Sequence, residues 1–139
     1  MRLRIVLTGL PGLSWADYDA VHVGLQRGTE VVGVTPGDAK TATWDIEVEV
    51  KDDGDVRGPH VQGKRGERFV YITWGTSPDP ERWGMFRRAK IMLAPAAELL
   101  QEAAAKGASV EASLEGMDAK GGPVCAAVRP PRVTWRAVP

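Results

Sequence analysis

Alternation of apolar and polar positions dominates this chain and predicts β-strands. The clearest case runs from Thr43 to Val50, where Trp44, Ile46 and Val48 alternate with threonine and acidic residues. A period of two places the apolar side chains on one face of a strand and the polar ones on the other. Further strands are predicted at residues 3–7, 21–25, 31–34, 69–74, 86–93, 110–114, 124–128 and 133–135.

One segment breaks this pattern and predicts a helix. Residues 95–106 are mostly strong helix formers, and Pro95 suits the first position because it needs no N–H partner there. Gly107 suits the end of a helix, and Leu99 and Leu100 belong to an apolar stripe. We therefore expect one α-helix over about 95–106 that packs on the sheet.

Short strands separated by turns, with one helix, predict a mainly β fold of the α+β class. We expect a strongly curved antiparallel sheet or a small barrel of about eight strands. Asp118–Pro123 has the composition of a hairpin turn, and residues 69–74, apolar on both faces, suit a central strand. The length of 139 residues is typical of one domain, so we predict a single domain over 1–139.

The amino-acid composition favours a soluble globular protein over a membrane protein or a nucleic-acid-binding protein. Hydrophobic residues make up 43% and charged residues 26%, as in soluble globular proteins. No stretch approaches the roughly 18 apolar residues of a membrane span. Lys plus Arg equals Asp plus Glu at 18 each, which argues against a specific nucleic-acid partner. Cys125 is the single cysteine, which excludes a disulfide within the chain, and we predict a cytoplasmic protein without a membrane partner.

The balanced net charge conceals a segregation along the chain. Residues 1–56 hold five basic and ten acidic groups, a balance of −5, whereas residues 57–90 hold eight basic and three acidic groups, a balance of +5. Two interpretations stay open. The acidic strand around Asp45 pairs with the basic strand around Arg88 and Lys90, or the basic residues form a hollow that takes an anion.

Arginine is suited to such a hollow because its planar fork donates bidentate bonds to carboxylate or phosphate. The candidate ligand-binding residues are Arg57, Arg68, Arg87, Arg88, Tyr71 and Trp83. Trp83 lies in a predicted loop beside Arg82 and Arg87. Its ring could stack on a planar ligand or close the open end of a barrel, since large rings contribute buried area wherever they close a core.

Metal and cofactor chemistry has little support in the sequence. His22, His60 and Cys125 are the only soft metal ligands, and they lie in three distant segments without paired spacing. We therefore predict no metal site and no cofactor.

Three functions follow from these features. The first is a binding module that takes an anionic small molecule or protein through an Arg-rich sheet face. The second is a cofactor-independent small barrel enzyme, such as an isomerase, cyclase or hydrolase, in which His60, Tyr71 and an acidic residue, Asp45 or Asp55, supply acid and base chemistry. The third is a homo-oligomer, such as a homodimer, in which the −5 and +5 segments of two chains are complementary.

Several segments together resemble a known family. They are the strand around Trp44, the stretch RGPHVQGKRGERFVYITWG from Arg57 to Gly75, MFRRAKIML from Met85 to Leu93, and GGPVCAAVRPPRVTW from Gly121 to Trp135. The chain is similar over nearly its whole length to short bacterial proteins, mostly from actinobacteria, of the domain-of-unknown-function family 5990. The resemblance implies a single-domain protein with a recurrent Arg-rich centre, and it implies no activity, cofactor or site residue.

Overall fold

Strands make up most of the structure, a computed structural model that describes residues 1–8, 21–36, 39–83, 86–114, 127–128 and 133–139. The strands within these residues are Arg2–Thr8 (β1), His22–Arg27 (β2), Glu30–Pro36 (β3), Thr41–Glu47 (β4), Glu49–Val50 (β5), Val56–Arg57 (β6), Phe69–Gly75 (β7), Phe86–Met92 (β8), Ser109–Leu114 (β9), Ala127–Val128 (β10) and Val133–Val138 (β11). The helix is Ala97–Lys106 (α1). The prediction of a mainly β fold with one helix is confirmed. The predicted hairpin turn at Asp118–Pro123 and Cys125 lie outside the described residues.

The strands form two larger sheets and one short ribbon. The four-stranded sheet has the order β11-β9-β1-β4, the five-stranded sheet has the order β10-β8-β7-β2-β3, and β5 pairs with β6. Two pairs, β1–β9 and β8–β10, are parallel, so the expectation of antiparallel pairing throughout is wrong for them. Only strands joined by a tight hairpin must run antiparallel, and neither of these pairs is joined in that way.

The described strands do not close into a barrel. Hydrogen-bonded pairing ends at β11 and β4 in one sheet and at β10 and β3 in the other. A side chain spans the gap between β4 and β3, because the indole Nε1 of Trp44 donates to the carbonyl oxygen of Gly33 at 2.9 Å. The small barrel is therefore not found among the described strands, and the strong curvature of the sheet stays a prediction.

The apolar faces of both sheets and of the helix share one core. On β1, Leu3, Ile5 and Leu7 are buried, and the residues opposite them on β4 and β9 are buried too. The helix adds Leu100 and Ala103 to the same core. The alternation that predicted these faces is confirmed, because a period of two sends every second side chain inward.

The helix begins two residues later than expected and ends where expected. Pro95 lies in a 3₁₀ turn over Ala94–Ala96, and α1 follows from Ala97. Gly107 adopts a left-handed φ of 67° and donates its N–H to carbonyls of the last turn. No helix in the described part of the chain is both long and apolar enough to cross a membrane.

The polar outer face of the four-stranded sheet carries a row of alternating charges. The row follows the strand order as Asp45, Arg4, Glu111 and Arg136. Arg4 Nε lies 2.8 Å from Asp45 Oδ1, and Arg136 Nε lies 3.1 Å from Glu111 Oε1. The expected pairing of the acidic strand with the basic strand is wrong, because β4 pairs with β1 whereas β8 belongs to the other sheet.

Candidate functional site

The central strand of the five-stranded sheet, β7, and its neighbour β8 turn their polar side chains away from the core. In the register of β7 and β8, Thr73 lies opposite Arg88 and Tyr71 lies opposite Lys90. Residues opposite each other in an antiparallel pair share a face, so these four residues lie on one outer face. The alternate side chains of both strands are buried in the core: Val70, Ile72, Trp74, Ala89 and Ile91.

Cations and aromatic rings alternate on this outer face. The guanidinium carbon of Arg88 lies 4.6 Å from the ring centroid of Tyr71, and Lys90 Nζ lies 4.2 Å from that of Phe69. The two rings meet edge to face, with centroids 4.7 Å apart and planes at 63°. We call Phe69, Tyr71, Arg88 and Lys90 the cation–aromatic patch. Such contacts hold the cationic side chains in place, which lowers the entropy lost when they bind a ligand.

A cavity of about 160 Å³ adjoins the patch. Its lining consists of Gln26, Thr29, Val31, Thr73, Pro80, Trp83 and Arg88, and we call it the outer cavity. Thr73 Oγ1 donates a long hydrogen bond of 3.5 Å to Gln26 Oε1. Gln26 Nε2 donates to the carbonyl oxygen of Gly28 at 2.9 Å, which fixes the orientation of the amide. The polar wall of the cavity therefore comes from three strands, β2, β7 and β8.

Trp83 forms the opposite wall. A 3₁₀ turn over Pro80–Arg82 places the indole on Gly75, where an added Cβ would lie 2.4 Å from the ring. The indole Nε1 donates to the carbonyl oxygen of Ser77 at 2.6 Å, and the residue is only 8% exposed. Trp83 thus packs on the sheet and lines the outer cavity, and the described strands form no barrel for its ring to close.

The four candidate arginines do not share one surface. Arg87 and Arg88 are neighbours on β8 and therefore point to opposite faces, and Arg87 is buried. Arg68 donates to both carboxylate oxygens of Asp55, at 3.0 and 3.1 Å, and Arg57 lies 4.0 Å from the same carboxylate. Of the four, only Arg88 lines the outer cavity.

A second cavity, of about 210 Å³, lies beside the start of α1. Its cations are matched by acids, since Arg68 pairs with Asp55 and Arg65 lies 2.9 Å from Asp53. The hydrogen bonds from Arg68 lower the pKa of Asp55, which keeps this carboxylate ionised. An anion would have to compete with these carboxylates for Arg65 and Arg68.

The candidate acid–base residues lie on different surfaces. Asp45 belongs to the charge row of the four-stranded sheet, where the hydrogen bonds from Arg4 lower its pKa. Tyr71 lies on the outer face of the other sheet, and His60 lies in the turn after β6, where burial lowers its pKa. Among the described residues, no three His, Cys, Asp or Glu side chains are grouped to hold a metal ion.

Sequence reasoning missed five of the seven residues that line the outer cavity, among them the polar Gln26 and Thr73. Thr73 is a polar position in a largely apolar strand, which was an available signal, whereas Gln26 is one of several polar residues in β2 and does not stand out. They are 47 residues apart, and the pairing of β2 with β7 brings them together.

A comparison with known families supports the resemblance noted in the sequence. A family model described as a family of unknown function (DUF5990) matches residues 1–138, which include every residue of the outer cavity and of the cation–aromatic patch. No curated protein and no solved structure matches the chain. The chain belongs to DUF5990, a family of unknown function.

Proposed function

We propose that the protein is a one-domain binding module for a carboxylate ligand held in the outer cavity. The observation that carries this proposal is the convergence of Arg88, Thr73, Gln26 and Trp83 on one cavity. A few convergent polar groups beside an apolar wall are typical of small-molecule sites.

Different residues of the outer cavity bind different parts of the ligand. Arg88 donates bidentate bonds to the carboxylate. The guanidinium carbon lies over the Tyr71 ring, and a guanidinium in contact with a ring can still donate from its N–H edge to a carboxylate. Gln26 Oε1 accepts from an N–H or O–H group of the ligand, and Trp83 and Val31 contact its apolar part.

The size and charge of the site select for small anionic groups. A volume of about 160 Å³ is below the roughly 300 Å³ of a drug-sized site, so it holds a small molecule or one end of a larger one. Residues 22–27, 69–75 and 86–92, which form β2, β7 and β8, contain no Asp or Glu. These strands therefore add no negative charge that would repel a carboxylate.

Calorimetric titration and thermal unfolding with small monocarboxylates, such as acetate and propionate, test the proposal. Their primary amides serve as uncharged controls. We expect the carboxylates to stabilise the protein, by about 2.7 kcal/mol at a hundred times the dissociation constant, and the amides to have no effect. Equal effects of acids and amides, or no binding of either, would overturn the proposal.

Two variants locate the site and one serves as the matched control. Gln26→Glu preserves the shape of the side chain but adds a negative charge to the outer cavity, and Arg88→Ala removes the cation. Both should abolish carboxylate binding. Arg2→Ala removes a positive charge from the other sheet and should leave binding unchanged. Binding that survives in both cavity variants would place the ligand elsewhere.

The enzyme and homodimer hypotheses have no comparable support in the described residues. His60, Tyr71 and Asp45 are not brought together, and a second copy of the chain is not required to complete the outer cavity. A cytoplasmic location and the absence of a cofactor stay predictions from the sequence.

A further inference from the structure

A second cationic residue, Lys90, lies beside the outer cavity on the same sheet. Lys90 follows Arg88 by two residues on β8, so both side chains lie on the same face. Both cations also lie within 6 Å of one ring, with Arg88 at 4.6 Å and Lys90 at 5.9 Å from the centroid of Tyr71. The cation–aromatic patch therefore extends the anion site beyond the small cavity.

Arg88 and Lys90 come from positions two residues apart on β8, the same repeat that one face of an extended chain has. Two residues of a strand span roughly 6.5 Å, and side chains at every second residue of an extended peptide face the same way. We infer that the outer face docks an extended acidic peptide whose carboxylates, at every second residue, bind Arg88 and Lys90. This inference rests on the proposed function and names the chemical class of its ligand.

A hollow at the far end of the patch gives room for the rest of such a peptide. It is lined by Gly63, Lys64, Glu67, Phe69, Lys90 and Met92, and Lys64 Nζ lies 3.5 Å from Glu67 Oε2, so the hollow suits uncharged residues of the peptide rather than a further carboxylate. From Thr73 in the outer cavity to Phe69 in this hollow, β7 spans roughly 13 Å, which is the length of four extended residues. The small volume of the outer cavity then accommodates one acidic side chain while the backbone continues over Tyr71.

The same outer face carries the aromatic rings of Phe69 and Tyr71, so single-stranded nucleic acid is the competing partner. Bases bind such platforms by stacking on open aromatic faces. Here Arg88 covers Tyr71, Lys90 covers Phe69, and the rings stand at 63° to each other. Successive bases need faces that are nearly parallel and uncovered, so the geometry favours carboxylates as the partner of these cations.

Fluorescence anisotropy with labelled peptides tests this inference. One peptide alternates glutamate with serine, a second, the block peptide, has the same composition with its glutamates in blocks of two so that no two glutamates lie two residues apart, and a third alternates glutamine with serine. We expect the alternating acidic peptide to bind about two- to fivefold more tightly than the block peptide, the effect of one additional exposed ion pair. The glutamine peptide should not bind.

Variants separate the two cationic positions. Lys90→Gln should remove the preference for the alternating peptide while acetate binding persists, and Arg88→Ala should abolish both. Lys40→Gln, which neutralises an exposed lysine outside the patch, is the control and should change neither.

Each outcome decides between the hypotheses. If acetate binds but the alternating and block peptides bind equally, the inference is wrong and the proposed function stands. If neither acetate nor any acidic peptide binds, both are wrong. An oligothymidine that binds more tightly than the acidic peptide, and loses affinity in Tyr71→Ala, would overturn the inference in favour of nucleic acid.

Discussion

Gly33 lies at the junction between the two sheets, where a single indole fills the space between β3 and β4. Its φ of 64° falls in the left-handed region, and an added Cβ would lie 2.6 Å from Trp44 Cδ1 and Nε1. The carbonyl oxygen of the same residue accepts the indole N–H. Glycine is needed here both for its backbone conformation and for the close approach of the ring.

Gly33→Ala should therefore destabilise the protein more than a substitution that only strains the backbone. The left-handed conformation costs an alanine about 1–2 kcal/mol, and displacement of the ring should bring the total loss to about 2–4 kcal/mol. Gly28→Ala is the matched control, because Gly28 has a φ of 61° and nothing within 4 Å of an added Cβ. Urea unfolding measures both, and an equal loss in the two variants would show that the Trp44 contact contributes nothing.

The four-stranded sheet shows how charges act across an element. Each member of the charge row has an opposite charge on the neighbouring strand, so the row ties together β4, β1, β9 and β11. Hydrogen bonds from Arg136 lower the pKa of Glu111, and those from Arg4 lower the pKa of Asp45. Because these pairs are only partly buried, each contributes little alone, and their effect is best seen as a function of pH.

A lowered pKa in the folded state fixes the sign of the pH dependence. The native state then binds fewer protons than the unfolded state, so the contribution to stability is present above the ordinary carboxyl pKa of about 4. It is lost as pH falls through the lower pKa of the folded protein. Glu111→Gln should therefore give a shallower loss of stability below pH about 4 than the unsubstituted protein.

Glu102→Gln provides the comparison for this prediction, because it removes an exposed carboxylate from α1 outside the charge row. Urea unfolding over the acidic pH range measures both variants. The control should follow the pH profile of the unsubstituted protein. If Glu111→Gln follows it as well, the row does not contribute to the acid sensitivity of the fold.

At the scale of the whole molecule, charge is balanced in total and segregated along the chain. The chain has 18 basic and 18 acidic groups, and the excess of basic residues lies in 57–90, where Arg65 and Arg68 pair with Asp53 and Asp55, and Arg88 and Lys90 share the outer face of β8. The local positive charge of Arg88 and Lys90 should attract an acidic ligand to this face of a protein that has no net charge. Salt screens such an attraction, with a Debye length of about 10 Å at 0.1 M ionic strength.

Raising sodium chloride from low to high concentration should weaken binding of the alternating acidic peptide several-fold. The glutamine peptide, which carries no side-chain charge, should show no corresponding change. Anisotropy titrations at a series of salt concentrations measure this dependence. An affinity for the acidic peptide that does not change with salt would exclude ion pairing with Arg88 and Lys90 as the source of binding.

The local pattern of the sequence determined the strands, the end of the helix at Gly107 and the inward faces, because alternation and helix signals act over a few neighbouring residues. Only the tertiary structure decided which strands pair, since that choice depends on packing between distant segments. In the folded chain Arg4 pairs with Asp45, and both Arg57 and Arg68 pair with Asp55. Gln26 lies within hydrogen-bond distance of Thr73. An Arg-rich segment could be recognised in the sequence, but strand pairing and the alternation of faces determined that Arg88 alone of its four candidates lines the outer cavity.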